Sequence, residues 1–120
     1  MVVADSCYSG TMVRAGSTRV IRGGGDKVPL IKRLLNKKSR TVLTSGGLEP
    51  VKDSGGGQHS VFAKAFLDAL DENDGVIEGG SIFNKLRGKV IMNADQTPEY
   101  ADVRKAGHDG GDFVFVRKRR

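Results

Sequence analysis

The chain has 120 residues, 38% of them hydrophobic, and a formal net charge of +6. This length supports one domain with a modest core, which excludes a two-domain architecture. No run approaches the roughly 18 apolar residues of a membrane span, and no basic stretch followed by an apolar one marks a signal peptide. We therefore predict a single cytoplasmic domain over residues 1–120 with no membrane partner.

The basic residues are unevenly distributed. Residues 14–40 carry nine basic side chains against one acidic, residues 68–78 carry five acidic and no basic, and residues 117–120 form a basic tail. Such an excess would suit nucleic acid or an anionic surface. Since no aromatic residues alternate with the basic ones and no nucleic-acid motif accompanies them, we predict a solvated basic face and no nucleic-acid partner.

The first predicted element is the apolar run Val2-Val3-Ala4, which breaks into small polar residues around Cys7. Such a run predicts a buried strand, and open α/β sheets place their chemistry beyond the carboxyl ends of strands. A single cysteine forms no internal disulfide, which fits a reducing compartment and leaves the thiol free. We therefore predict Cys7 as a nucleophile, with the carboxylate of Asp5 two residues before it.

A strand, a helix and a second strand follow one another in the first third of the chain. Residues 11–25 end in three glycines and predict a flexible loop, residues 26–38 predict a helix, and residues 40–45 predict a β-branched strand. Strands joined through a helix pair in parallel. The carboxyl ends of the two strands then lie at one sheet edge, which brings Ser45 beside Cys7.

The remaining chain predicts two helices and a closing strand. Apolar residues recur at helical spacing over residues 61–72, with Ser60 or His59 as the N-cap, and a second helix covers residues 81–89. The acidic segment 71–75 lacks the ligand spacing of a calcium loop, so we predict a turn and no metal site. Residues 93–112 predict a loop and residues 112–116 the last strand.

The motif Asp5-Ser6-Cys7-Tyr8-Ser9-Gly10 resembles the nucleophile motif of the caspase-like cysteine peptidases, in the form found in metacaspases and bacterial caspase-family proteins. Four further segments are similar to bacterial caspase-family sequence, so that the resemblance covers roughly residues 2–117: Ser45-Gly46-Gly47, His59-Ser60-Val61-Phe62-Ala63, Gln96-Thr97-Pro98-Glu99-Tyr100 and Gly110-Gly111-Asp112-Phe113. The resemblance implies an α/β fold, a caspase-like three-layer sandwich from the nucleophile strand onward with the amino-terminal strands missing. The missing strands would leave Val2-Val3-Ala4 as an unpaired edge.

The same resemblance implies the substrate. The animal caspase signature has Gln-Ala before the cysteine, so Asp5 replaces a neutral amide, and in metacaspase-like enzymes the equivalent acidic residue lines the pocket for the side chain before the cleaved bond. Asp5 would then favour Arg or Lys there. Residues 48–59 correspond to one wall of the substrate groove, which makes Ser45 and Glu49 candidate pocket residues. A peptide or protein is the implied substrate, with no cofactor.

The catalytic histidine of this family is not found where the pattern requires it. It lies about 50 residues upstream of the cysteine in the caspase signature, whereas six residues precede Cys7 and both histidines, His59 and His108, follow it. A capping or structural role fits His59, and a loop position fits His108. We therefore predict a carboxyl-terminal fragment that is inactive alone, with the missing amino-terminal half as a partner. The alternative is a catalytically dead caspase-like module that binds other proteins.

Two further hypotheses concern residues near the nucleophile. The phosphate loop of tyrosine phosphatases needs five residues between its cysteine and arginine, but six separate Cys7 from Arg14, which argues against that class. Arg14, Arg19 and Arg22 lie where animal caspases are processed, and self-cleavage after one of them is consistent with an acidic pocket. An uncleaved surface loop is the simpler interpretation.

Overall fold

The structure is a computed structural model that describes residues 1–5, 27–46, 59–103 and 105–119. The described residues form an α/β arrangement of short strands and three helices, which confirms the predicted class. In chain order the elements are β1 (Val2–Ala4), α1 (Val28–Leu35), β2 (Thr41–Thr44), α2 (Val61–Asp71), β3 (Val76–Glu78), α3 (Gly79–Asn93), β4 (Glu99–Asp102) and β5 (Val114–Val116).

The main sheet has the strand order β1-β2-β4. β1 runs parallel to β2 with Val3 opposite Leu43, so the predicted parallel pairing of the first two strands is confirmed. β4 lies antiparallel on the other side of β2, with Tyr100 opposite Leu43. The prediction of a loop throughout residues 93–112 is therefore wrong. Glu-Tyr-Ala-Asp has no strand-like alternation, and this strand exists because β2 supplies its hydrogen-bond partners.

The prediction that the first strand is buried is also wrong. Val2 and Val3 are 46% and 40% exposed, since β1 is an edge strand that pairs with β2 alone among the described strands. An apolar run becomes a buried strand only where other elements cover both of its faces. The first strand therefore leaves one backbone edge unpaired within the described part of the chain.

The hydrophobic core lies where α2 and α3 pack against the sheet. On α3 the residues Ile82, Leu86 and Val90 follow one another at four-residue spacing and are fully buried. They share one core with residues of α2 and the sheet, among them Phe62, Ala65, Ala69, Leu43 and Tyr100. The apolar stripe predicted for α2 is confirmed, with Phe66 and Leu70 at its half-buried margin.

Helix α1 is shorter than predicted and packs less tightly than the other two. It covers Val28–Leu35 with Pro29 in the first turn, and Lys27 occupies the N-cap position without a side-chain cap. None of its residues is buried, and Val28 and Leu35 are more than half exposed. This helix therefore draws little stability from the core, because most helical stability in proteins comes from burying an apolar face.

A second sheet has two strands and lies at the start of α3, where the Gly79 amide donates to the carbonyl oxygen of Phe113 over 2.8 Å. β3 pairs antiparallel with β5, so that Ile77 lies opposite Phe115. The predicted last strand is confirmed at Val114–Val116. β3 was not predicted, because its two apolar residues, Val76 and Ile77, stand between a turn and Glu78 and are too few to show a strand pattern. The predicted turn before it is confirmed: the Gly75 amide donates to Oδ1 of Asn73 over 3.1 Å. Among the described residues, no helix is both long and apolar enough to cross a bilayer.

Candidate active site

Two of the predicted pocket residues meet at one edge of the main sheet. Asp5 directly follows β1, and Ser45 directly follows β2. The backbone amide of Ser45 donates to the carbonyl oxygen of Ala4 over 3.1 Å, so the parallel ladder continues to this point. The carboxyl ends of β1 and β2 therefore bring Asp5 and Ser45 side by side, which is the arrangement that the strand-helix-strand pattern predicts.

Other predicted residues of this site lie outside the described residues. These are Cys7 and Glu49, together with the predicted flexible loop 11–25.

Of the predicted basic tail, Arg117 is held to the body of the protein: its guanidinium donates to the carbonyl oxygens of Asp71 and Asn73 over 2.7 and 3.0 Å.

Ser60 attaches the carboxylate of Asp5 to the start of α2. Its hydroxyl donates to Oδ2 of Asp5 over 2.5 Å and accepts from the backbone amide of Ala63 over 3.0 Å. Of the two residues predicted as possible N-caps of this helix, Ser60 and His59, Ser60 is the cap. The positive end of the α2 dipole lies close to Asp5, which favours a negative charge there. Asp5 itself is exposed, so its carboxylate stays open to a ligand.

Buried polar atoms without partners gather at the same edge. Ser45 is 1% exposed, and its hydroxyl has no hydrogen-bond partner among the described residues. The same holds for the hydroxyl of Thr44 and for Oε1 of Gln96, which is 5% exposed. Gln96 lies next to Gly46, where a methyl group would stand 3.4 Å from the Gln96 Cβ. A buried unpaired polar atom costs about 1–3 kcal/mol. Within the described residues, this edge therefore has hydrogen-bonding capacity that a ligand or a further segment could satisfy.

Gln96 was not predicted as a site residue. It was noticed only as part of a segment that resembles bacterial caspase-family sequence. A polar amide between Asp95 and Thr97 carries no periodic signal, and only the packing of that segment against Gly46 brings it to the edge.

The two histidines lie apart from one another in the fold. His59 is exposed and immediately precedes the α2 cap. His108 lies at the opposite end of β2, where its Nδ1 accepts from the backbone amide of Arg40 over 3.1 Å. Arg40 and Ser45 bracket β2, a separation on the order of 15 Å at about 3.3 Å per strand residue. His108 is therefore remote from the edge that carries Asp5, and its geometry agrees with the predicted loop position.

A second polar centre lies at the start of α3, and sequence reasoning missed it. Asp112 accepts hydrogen bonds from the Tyr100 hydroxyl, from the Gly80 amide over 2.9 Å and from the Phe113 amide over 2.7 Å. Burial, together with the hydrogen bond to Asp112, raises the pKa of Tyr100 well above its ordinary value. We call this centre, comprising Tyr100, Asp112, Gly79 and Gly80, the α3 joint. All its carboxylate oxygens have donors, so its role is structural.

The sequence feature that could have indicated the α3 joint is the pair of glycines at the start of the helix, Gly79-Gly80. A side chain at Gly79 would stand 2.8 Å from Oδ1 of Asp112, so glycine is required for this close approach. No group of three or more His, Cys, Asp or Glu side chains that would hold a metal ion is found within the described ranges.

In comparisons with protein-family models, curated proteins and solved structures, nothing matches this chain, and the family resemblance of residues 5–10 stays a prediction.

Proposed function

We propose that the chain carries the nucleophile part of a caspase-like cysteine endopeptidase that cleaves after Arg or Lys, with Cys7 as the nucleophile. The supporting observation is the edge where Asp5 and Ser45 meet at the carboxyl ends of two parallel strands. Cys7 follows Asp5 by two residues, which agrees with chemistry beyond the carboxyl ends of strands. A complete domain would be a caspase-like three-layer sandwich in a reducing, cytoplasmic compartment.

The proposed reaction is acyl transfer through the thiol. The Cys7 thiolate attacks the carbonyl carbon of the scissile amide, and backbone amides stabilise the oxyanion that forms. An imidazolium then donates its proton to the leaving amine as the C–N bond breaks, and water hydrolyses the thioester. His108 is remote from this edge and His59 lies at a helix start, so the proposal assigns the imidazole to a polypeptide segment outside these 120 residues.

The acceptor-rich edge supports the proposed preference for a basic side chain. Asp5 offers a carboxylate held in position by Ser60, and Ser45 adds a hydroxyl without a partner among the described residues. A guanidinium or ammonium group carries only donors, which matches such acceptors. Glu49 would add a second carboxylate to this pocket.

Activity assays test the proposal directly. Peptidyl-coumarin substrates ending in Arg, Lys or Asp are incubated with the chain alone and with an added amino-terminal caspase-like half that carries the histidine. We expect almost no turnover by the chain alone, restored turnover of the Arg and Lys substrates with the added half, and complete loss in Cys7→Ala.

A second measurement guards against a mixture that fails to assemble. Peptidyl acyloxymethyl ketones ending in Arg or Asp are added to the chain, and intact mass reveals covalent capture of Cys7. Faster capture by the Arg reagent supports the proposal. If neither reagent labels Cys7 and no added half restores turnover, the peptidase proposal is wrong.

Asp5→Asn tests the specificity part separately. Loss of a charge-assisted contact with the substrate should reduce the preference for the Arg over the Asp reagent about tenfold. Asp109→Asn is the matched control, since Asp109 is exposed in the loop that carries His108. Equal preferences in the two variants would remove Asp5 from the pocket.

The second candidate function is a catalytically dead caspase-like module that binds protein. Among the described strands β1 pairs only with β2, and its residues Val2 and Val3 are 46% and 40% exposed. This favours the binding function, because an unpaired apolar edge strand accepts a further strand. Binding of the added half without Cys7-dependent turnover would select this function over the peptidase.

A further inference from the structure

A cleft of about 780 Å³ opens at the end of β2 remote from Asp5. Thr41, the first residue of β2, lines this cleft. Ser45, at the candidate active site, follows the last residue of the same strand. Apolar surface on the cleft wall comes from the side chains of Leu30, Leu34 and Tyr100. This volume falls within the range of about 300–1,000 Å³ that is usual for small-molecule sites. The cleft is therefore large enough for a ligand and separate from the candidate active site.

The loop before β5 forms the far side of the cleft and is held firmly to α1. The amides of Asp109 and Gly111 both donate to the carbonyl oxygen of Lys38, over 3.0 and 3.3 Å. A methyl group on Gly111 would stand 2.9 Å from the carbonyl oxygen of Leu34, so the loop approaches the end of α1 as closely as its backbone allows. The walls are therefore fixed relative to one another by backbone contacts.

Two cationic side chains on the cleft wall form no ion pair in the described part of the chain. Arg33 and Lys37 line it, and neither forms an ion pair with a described carboxylate. His108 adds a third donor: its Nδ1 accepts from the Arg40 amide, so a neutral ring carries its hydrogen on Nε2. Two cationic side chains and one ring N–H thus border a single cavity.

Of the two carboxylates that line the cleft, one is already paired. Asp112 already receives the Tyr100 hydroxyl and two backbone amides, so its oxygens have no need of a ligand. Asp102 is the lining carboxylate that receives no side-chain hydrogen bond from a described residue. Thr41 adds a buried hydroxyl without a partner among the described residues, which can donate or accept. The unpaired charges on the described lining are therefore two cations, Arg33 and Lys37, against one carboxylate, Asp102, and this excess favours an anionic ligand.

We infer that this cleft binds a small organic anion, a carboxylate or a phosphate ester with an apolar body. The planar guanidinium of Arg33 matches either group with two parallel hydrogen bonds, and Lys37 adds a point charge. Leu30, Leu34 and the Tyr100 ring contact the apolar body. Asp102 accepts from a hydroxyl or ammonium group of the ligand. This site does not depend on the proposed peptidase activity.

Three probes of similar shape separate charge from shape: benzoate, phenyl phosphate and the neutral benzamide. Each is titrated into the ¹⁵N-labelled chain while amide shifts of the loop that carries Gly110 and Gly111 are followed. We expect saturable shifts with at least one of the two anions and binding about tenfold weaker with benzamide, as charge-assisted contacts require. The dissociation constants of benzoate and phenyl phosphate then show whether the cleft prefers a carboxylate or a phosphate ester.

Arg33→Gln, with Lys32→Gln as its control, decides whether the cleft is the site. Lys32 is the preceding residue of α1, carries the same charge and does not line the cleft. Both side chains are exposed, so neither variant threatens the fold. We expect about a tenfold loss of anion affinity in Arg33→Gln alone. Equal losses in the two variants, or no saturable shift with either anion, would overturn the inference.

Discussion

The two polar centres of this protein differ in how completely their groups are paired. At the α3 joint, Asp112 receives the Tyr100 hydroxyl and two backbone amides, and Gly79 leaves no room for a side chain beside them. At the edge with Asp5 and Ser45, one carboxylate is exposed and a buried hydroxyl has no described partner. A fully paired polar group stabilises a fold, whereas an unpaired one has capacity left for a ligand.

The largest effect in this comparison should come from Gly79→Ala at the α3 joint. The added methyl group would approach the Tyr100 hydroxyl and Oδ1 of Asp112 and force them apart. We expect the free energy of unfolding in urea to fall by about 2 kcal/mol, as overpacking of a tight site does. Gly88→Ala is the control on the same helix, where a methyl group meets nothing within 4 Å. It should raise stability by about 0.5–1 kcal/mol, and similar losses in both variants would contradict the close packing.

The same centre should make stability fall at alkaline pH. The pKa of Tyr100 lies above its ordinary value of 10.0 in the folded state. Since the unfolded chain loses this proton first, the stabilisation is fully present below pH 10.0 and declines as the pH rises above it. The slope approaches about 1.4 kcal/mol per pH unit for one proton. Urea unfolding between pH 9 and 11 measures this slope.

Tyr100→Phe is the reference for the alkaline measurement. It removes the titrating hydroxyl while keeping the ring that stacks on Phe83 at 5.9 Å. Lysine titration contributes equally to both proteins, so the difference between their slopes belongs to Tyr100. Parallel pH profiles would show that the hydroxyl is not stabilised in its protonated form.

At the open edge, Ser60→Ala should have a smaller effect on stability. It removes the N-cap of α2 and the hydrogen bond to Asp5, and we expect a loss of about 1 kcal/mol. Ser60→Thr keeps the hydroxyl and should stay within a few tenths of a kcal/mol of the parent. A Ser60→Thr variant as unstable as Ser60→Ala would mean that packing, not the cap, decides this position.

The smallest effect should come from the exposed ion pairs between α2 and α3. Glu72 accepts from Lys89 over 2.9 Å and from Lys85 over 3.4 Å, and its hydrogen bond to Lys89 is the main cause of its lowered pKa. This stabilisation is present at neutral pH and is lost as the pH falls through the lowered pKa. Glu72→Gln should lower the melting temperature slightly in low salt and not in 1 M salt. Asp74→Asn, which changes an exposed carboxylate in the following turn, is the control.

Local patterns predicted the elements whose information lies in neighbouring residues. The apolar stripe of residues 61–72 and the cap at Ser60 are both local, and α2 formed as predicted. The pattern of strand, helix and strand also predicted the parallel pairing that brings Asp5 to Ser45. The candidate site was therefore predictable as far as these two residues. The presence of Gln96 at this edge was not predictable, because Gln96 lies about 50 residues after Ser45 in the chain and only the fold packs it against Gly46.

Sequence patterns were enough to predict the α/β class, the apolar stripe of α2 and the sheet edge at which Asp5 and Ser45 meet. Only the folded structure shows that the side chains of β1 are exposed, that β4 pairs with β2, and that Asp112 closes the start of α3. It also decided that the loop with Gly111 meets α1 and leaves a cleft. The physical reason is that periodicity and capping act within a few residues, whereas strand pairing and buried hydrogen bonds join residues that are distant in the chain.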